Sequence, residues 1–175
     1  MNMQVLVTYA TKYGATAEIA TKIGQTLQQA GFHTDIMPAD EVSDLSAYQA
    51  VIVGSAVYVG KWRKEAVEFL EDNEEALAQR LVWIFSSGPT GEGDAAELLK
   101  GWRLPEAQQA LVERIQPRDV VVFHGELARE KLNLLEKWVI KNVKAPLGDF
   151  RDWDSITAWA AEIAAALKEA WLIPA

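Results

Sequence analysis

A short apolar stretch that ends abruptly in small and hydroxyl residues constrains this chain more than any other feature. Residues 3–9 are mostly apolar, the loop at residues 11–16 contains one glycine and two threonines, and apolar residues then recur at helical spacing up to Gly31. This pattern predicts a buried strand, a tight loop and a helix. Because a helix N-terminus carries free N–H groups and partial positive charge, the loop is suited to bind a phosphate. The alternative is an ordinary strand-to-helix turn that Thr16 caps.

The same alternation of strand and helix continues along the chain. The predicted strands are residues 3–9, 32–37, 50–55, 81–87 and 119–125, and the predicted helices are residues 16–31, 63–80, 105–116, 131–143 and 155–170. The segment 95–104 is ambiguous. Alternation of this kind favours right-handed crossovers and a parallel sheet with helices on both faces. We therefore expect an α/β fold, with residues 1–175 forming one domain.

Composition excludes several classes of function. The chain has a net charge of −8, which disfavours nucleic acid as a partner, and it has no cysteine for a disulfide, a thiol nucleophile or an iron–sulfur cluster. His33 and His124 lack neighbours at ligand spacing, so we expect structural roles for both and no metal site. No apolar run is long enough to span a bilayer, and no leader pattern precedes the first strand, so the expected location is cytoplasmic.

Three predicted strands end in small, hydroxyl or glycine residues. These ends are residues 11–16, 55–60 and 86–94. In open parallel sheets, ligands bind at the carboxyl ends of the strands. The first loop lacks both the G-x-x-x-x-G-K-[ST] and the G-x-G-x-x-G pattern, which argues against a nucleoside triphosphate and a dinucleotide.

The first loop resembles the phosphate loop of the flavodoxins. Thr11, Gly14 and Thr16 match the family pattern, and Tyr13 replaces its usual threonine. The resemblance implies a flavodoxin-like three-layer sandwich with a five-stranded parallel sheet in the order 2-1-3-4-5, and FMN as the cofactor. It implies that the FMN phosphate lies on the first loop: Thr11, Lys12, Tyr13, Gly14, Ala15 and Thr16.

The flavodoxin resemblance also implies two loops that hold the flavin ring. The second loop is Ala56, Val57, Tyr58, Val59 and Gly60, and the third is Ser87, Gly88, Pro89, Thr90 and Gly91. We expect Tyr58 to stack on the ring, with Trp62 or Trp102 as alternates; the other interpretation makes Tyr58 a packing aromatic. No catalytic residue is predicted.

Within the flavodoxins, the chain is similar to the group that includes the menaquinone-dependent protoporphyrinogen oxidase. The shared features are residues 54–62, 124–127 and 138–141, followed by Asp152 and Trp153. In contrast, residues 91–97 are acidic here, whereas that enzyme has a basic segment. The expected function is therefore FMN-dependent electron transfer or a small oxidoreductase reaction, with a redox protein or a quinone as partner. Protoporphyrinogen oxidation in heme biosynthesis is one alternative, and a flavin-free interaction module is another.

The segment 127–148 has a net positive charge, whereas the chain as a whole is negatively charged. It contains five basic and two acidic residues. A basic amphipathic helix of this type can contact a membrane surface, where a quinone would be met. The alternative is a helix packed on the sheet with a solvated lysine face. Trp83, Trp138 and Trp159 lie on apolar stripes, which predicts that all three are core residues.

Overall fold

A parallel sheet forms the centre of the computed structural model, which describes residues 3–91, 93–144 and 146–172, without the side chain of Ala96. Expectations that concern Glu92, Ala145 or Ile173 lie outside the described residues. The strands are β1 (Gln4–Ala10), β2 (His33–Pro38), β3 (Ala50–Tyr58), β4 (Lys61–Trp62), β5 (Leu81–Ser87), β6 (Asp119–Phe123), β7 (Glu126–Leu127) and β8 (Gly148–Asp149).

Five of these strands are parallel neighbours in the order β2-β1-β3-β5-β6. If only these five are counted, the order is 2-1-3-4-5, so the predicted topology is confirmed. The short β4 pairs antiparallel with the end of β3, and β7 and β8 form a separate hairpin. The order reverses between β1 and β3, which is the point at which such sheets bind ligands.

Helices cover both faces of the sheet, which confirms the three-layer α/β architecture. The helices are α1 (Ala15–Gln29), α2 (Lys64–Asp72), α3 (Glu74–Ala78), α4 (Ala95–Leu98), α5 (Glu106–Ile115), α6 (Leu134–Val143) and α7 (Trp153–Leu172), with 3₁₀ turns at Ala39–Glu41 and Arg129–Lys131. On one face, α1 and α7 pack on the sheet through residues such as Ile23 and Ile163. On the other face, α2, α3 and α5 pack through residues such as Leu70 and Ile115.

The predicted helix at 63–80 is two helices, because Asn73 interrupts it. The Asn73 backbone leaves the helical region, with φ −117° and ψ 14°. Its side-chain amide donates a hydrogen bond to the Phe69 carbonyl oxygen at 2.9 Å. Asparagine side chains compete with helical backbone hydrogen bonds in this way, and an apolar periodicity that continues across the break does not reveal it.

The prediction that Trp138 is a core residue was wrong. Trp83 and Trp159 are buried in the core as predicted, but the Trp138 side chain is 64% exposed. Among the described residues of α6, only Glu136 is buried. The helix does not pack on a sheet face; instead it lies beside the loops at the carboxyl ends of the strands. Within the described ranges, no helix combines the length and the apolar character needed to cross a membrane.

Candidate functional site

The first loop leaves the N-terminus of α1 without a side-chain cap. Gly14 is the N-cap residue, with a left-handed φ of 95°, and it makes no side-chain cap hydrogen bond. The Gly14 N–H donates to the Thr11 hydroxyl oxygen at 3.0 Å, which closes the loop. The alternative interpretation, in which Thr16 caps this helix, was wrong: Thr16 lies in the first turn and is buried. The first-turn N–H groups are therefore available to an anion.

Three strand-end loops meet around one cleft of about 270 Å³. This volume is near the lower end of the range for small-molecule sites, which is roughly 300–1,000 Å³. Most of the predicted site residues line the cleft: Thr11, Lys12, Tyr13, Ala15, Thr16, Ala56, Val57, Tyr58, Val59, Ser87, Gly88 and Thr90. The structure thus brings together the three loops that the sequence placed at strand ends.

Four predicted site residues do not line the cleft: Gly14, Gly60, Pro89 and Gly91. Gly14 and Gly60 have positive φ values, and they form the turns that place the neighbouring residues at the cleft. Gly60 and Pro89 instead line an adjacent groove that also contains Trp102. Trp62 is buried away from the cleft, where its indole N–H donates to the Ser86 hydroxyl at 2.8 Å. Of the aromatic residues considered for ring stacking, only Tyr58 faces the cleft.

The sequence prediction missed one wall of the cleft. The residues of this wall are Gly125, Glu126, Leu127, Val139, Ile140 and Val143. They belong to the long connection between β6 and α7, which turns back over the strand ends through β7, α6 and β8. The sequence feature that could have indicated this wall is the length of the connection between the last predicted strand, 119–125, and the last predicted helix, 155–170. Val139, Ile140 and Val143 form the face of α6 that is turned toward the loops.

The second loop is a tight hairpin turn with an unusual residue in it. Tyr58 pairs with Lys61 across the turn, and the two central residues, Val59 and Gly60, have φ values of 50° and 70°. Positive φ at both central positions is typical of a type I′ turn. Val59 is β-branched, so this conformation is strained, at a cost of about 1–3 kcal/mol. The turn holds Tyr58 at the edge of the cleft.

The floor of the cleft depends on two glycines that approach other backbone atoms closely. A Cβ atom on Gly88 would lie 2.9 Å from Val57 Cβ, and one on Gly125 would lie 3.3 Å from Gly88 Cα. The ends of β3, β5 and β6 converge here. The neighbouring His124 is buried, and its ring nitrogens lie 3.1 Å from the Pro89 oxygen and 2.6 Å from the Gly93 oxygen. His124 therefore holds the third loop against β6, while His33 is exposed on β2.

Lys12 connects the first loop to both other sides of the cleft. Its ammonium group forms an ion pair with Glu136 of α6 and lies 3.5 Å from the centroid of the Tyr58 ring. Burial is the largest single influence and lowers the pKa of Lys12, but the Glu136 carboxylate and the neighbouring tyrosines together outweigh it and raise the pKa to about 12. The Lys12 ammonium and the Asn133 N–H lower the pKa of Glu136 to about 2. Both groups are consequently charged at neutral pH.

Arg151 holds the β7–β8 hairpin against α1. Its guanidinium is almost fully buried and pairs with Asp149 at 2.8 Å, with Glu126 at 3.5 Å and with Glu18 of α1. The hydrogen bonds to Asp149 raise the pKa of Arg151 and lower that of Asp149. Glu126 lines the cleft, so this ion-pair network positions one edge of the cleft. Across the described ranges, no cluster of three potential metal ligands is present.

Comparison with protein families gives one match that covers most of the chain. A model of the flavodoxin domain matches residues 6–154. No curated protein matches the sequence.

Solved structures share the fold at low sequence identity. A flavodoxin from the domain Archaea is 13% identical, with a TM-score of 0.65, over 95% of this chain and 99% of that one. Flavodoxin 2 from Bacillus cereus is 22% identical, with a TM-score of 0.59, over 94% of this chain and 99% of that one. Rubredoxin oxygen:oxidoreductase from Desulfovibrio gigas is 13% identical, with a TM-score of 0.64, over 97% of this chain. This chain spans only 37% of that oxidoreductase.

Proposed function

The chain belongs to the flavodoxin domain family, and on that basis we propose that it binds FMN in the cleft and transfers electrons between redox partners. The observation that carries this proposal is the uncapped N-terminus of α1 at one end of a largely apolar cleft with an aromatic side chain. One end of such a site suits a phosphate monoester and the rest suits a planar ring. No nucleoside triphosphate pattern competes with this interpretation.

The phosphate end of the cleft offers more than helix N–H groups. Thr11 and Thr16 of the first loop line the cleft. The Lys12 ammonium is paired with Glu136, so it adds little net charge there. The Tyr13 hydroxyl is buried beside Glu136 without a well-aligned hydrogen-bond partner among the described residues. A buried donor without a partner costs about 1–3 kcal/mol, and a ligand oxygen would remove that cost. These residues therefore fit a phosphate group.

The other end of the cleft fits an apolar, planar group. Tyr58, Val57 and Ile140 line it, together with Ser87 and Thr90 of the third loop. When bound, FMN supplies one- and two-electron redox chemistry, which side chains alone do not provide. The role of this chain is to bind the cofactor, to orient it and to exclude water from one side of it through α6.

Absorbance and FMN titration of the purified protein test the proposal. We expect flavin absorbance, or uptake of added FMN, and the released cofactor should have the mass of FMN. Thr16→Leu should weaken FMN binding at least tenfold, because a buried apolar side chain would replace a phosphate donor. Thr21→Val is the matched control, since the Thr21 hydroxyl is exposed and bonds to the Ala17 carbonyl oxygen at 2.8 Å. A colourless protein that takes up no FMN would contradict the proposal.

A second candidate function is menaquinone-dependent protoporphyrinogen oxidation. The observation in its favour is the apolar wall of Val139, Ile140 and Val143, of which Val139 and Ile140 belong to the segment 138–141 that resembles that group of enzymes. A large apolar substrate or a quinone could pack against such a wall. The assay is oxidation of protoporphyrinogen by the FMN-loaded protein with a menaquinone analogue. Turnover no faster than the uncatalysed background would leave electron transfer between partners as the proposed function.

A further inference from the structure

The outward surface of α6 exposes large apolar side chains. Leu134 is 86% exposed, Trp138 is 64% exposed, and Leu147, just beyond the helix, is 46% exposed. Single exposed apolar residues are common, but a contiguous group that includes a tryptophan marks a surface that contacts something else. The opposite face of the helix contacts the cleft, because Val139 and Val143 line it.

Trp138 and Leu147 line a groove of about 510 Å³, and Leu134 lies one helical turn before Trp138 on α6. The lining of the groove combines four basic with four apolar residues: Arg129, Lys137, Lys141 and Lys144, and Leu132, Trp138, Ile140 and Leu147. No carboxylate is among these lining residues. The chain as a whole carries a net charge of −8, so this concentration of positive charge is specific to one surface. We call Leu134, Trp138 and Leu147, together with the four basic residues, the docking face.

The nearby acidic residues leave the charge of the docking face largely uncompensated. Glu136 is buried on the inner side of the helix and pairs with Lys12. Glu126 pairs with Lys131 and with Arg151, neither of which belongs to the docking face. Glu130 is exposed on the 3₁₀ turn and is the remaining acidic residue of this segment. Four cations therefore surround an apolar surface with little neutralisation.

We propose that the docking face binds the surface of a bilayer that contains anionic phospholipids. Trp138, Leu134 and Leu147 would enter the boundary between headgroups and acyl chains, where tryptophan is favoured. The lysines and Arg129 would remain at the level of the lipid phosphates, since their long side chains can extend past apolar neighbours. Charge complementarity identifies the partner as anionic, and the exposed apolar side chains beside these basic residues favour a lipid surface.

This inference goes beyond the proposed function and does not require bound FMN. Ile140 lines the docking groove on one side of α6 and the cleft on the other. Docking would place the cleft within one helix diameter of the bilayer surface, where lipid-soluble electron carriers are found. Membrane binding and FMN binding can therefore be measured separately, and either one can fail without the other.

Co-sedimentation with lipid vesicles tests the proposal. The wild-type protein should bind vesicles of phosphatidylcholine with about one-third phosphatidylglycerol, and should bind pure phosphatidylcholine vesicles at least tenfold more weakly. Raising the salt concentration should weaken binding, because screening reduces attraction to the lipid charges. Lys141→Gln combined with Lys144→Gln should weaken binding about 25-fold, at roughly fivefold for each charge removed. Trp138→Gln should weaken binding to anionic vesicles without changing its salt dependence.

The matched control removes the same charge elsewhere. Lys64→Gln combined with Lys168→Gln changes two exposed lysines outside the docking face and should leave vesicle binding within about twofold of wild type. Circular dichroism would establish that all variants are folded. Equal binding to both kinds of vesicle, or equal weakening by the control pair, would overturn the proposal. So would a salt-stable dimer that Trp138→Gln dissociates and that binds no vesicles, since the face would then belong to a second copy of the chain.

Discussion

The ammonium group of Lys12 lies 3.5 Å from the centroid of the Tyr58 ring. The same group pairs with Glu136, so one side chain from the first loop contacts the second loop and α6 at once. Cation–π contacts contribute about 0.5–2 kcal/mol, depending on how far the site excludes water. One face of the Tyr58 ring is therefore covered by a cation in this structure.

Tyr58 should determine how tightly the ring of FMN is held. Tyr58→Leu should weaken FMN binding about tenfold, because stacking between aromatic rings contributes about 0.5–1.5 kcal/mol beyond area burial. Tyr58→Phe keeps the aromatic face and serves as the control, with affinity close to wild type. Isothermal titration calorimetry of the apoproteins measures both. Equal affinities for the leucine and phenylalanine variants would show that the ring does not stack on Tyr58.

Glu136→Gln should lower the free energy of unfolding at neutral pH. It should also make that free energy less dependent on pH in the acid range. The pKa of Glu136 is lowered from its ordinary value near 4.5 to about 2, so its contribution is complete above about 4.5 and is lost as the pH falls through 2. The raised pKa of Lys12, about 12, keeps its own contribution complete below 10.5. Urea unfolding at several pH values would measure the difference. Glu130→Gln, an exposed neighbour, should retain the wild-type pH profile.

Val59→Asn should stabilise the protein by about 1 kcal/mol. Val59 holds a left-handed φ of 50° on an exposed turn, which is unfavourable for a β-branched residue, whereas asparagine tolerates this region. The free energy of unfolding in urea is the measurement. Val57→Asn in the neighbouring strand should instead destabilise, because Val57 is packed against the core. A loss of stability in Val59→Asn would mean that the valine side chain makes a compensating contact.

Gly88→Ala should damage the cleft more than Gly125→Ala. An added Cβ at Gly88 would lie 2.9 Å from Val57 Cβ and 3.2 Å from its carbonyl oxygen, while one at Gly125 would lie 3.3 Å from its nearest atom. Overpacking of this kind costs about 1–3 kcal/mol. Thermal unfolding and FMN titration would rank the two variants. If both are equally tolerated, the strand ends can separate and the floor of the cleft is not rigid.

Most of the fold could be predicted from the chain alone. The strand and helix pattern is local, and the three-layer arrangement with the order 2-1-3-4-5 followed from that pattern together with the resemblance of the first loop. Twelve of the sixteen predicted site residues line the cleft, because the ends of parallel strands meet at one edge of the sheet. Binding of FMN by these residues remains a proposal.

The details that depend on distant parts of the chain could not be predicted in this way. Val139, Ile140 and Val143, the wall that was missed, belong to a helix that the sequence pattern predicted. The pattern did not predict that this helix would lie beside the cleft.

The strands, the helices and the loop before α1 follow from interactions between residues that are close together in the chain. The position of α6 beside the cleft, the contacts of Lys12 with Glu136 and Tyr58, and the outward orientation of Trp138 depend instead on packing between distant segments. A helical periodicity shows that one face is apolar, but it does not show which surface that face will meet. That choice is made by the packing of residues far apart in the chain.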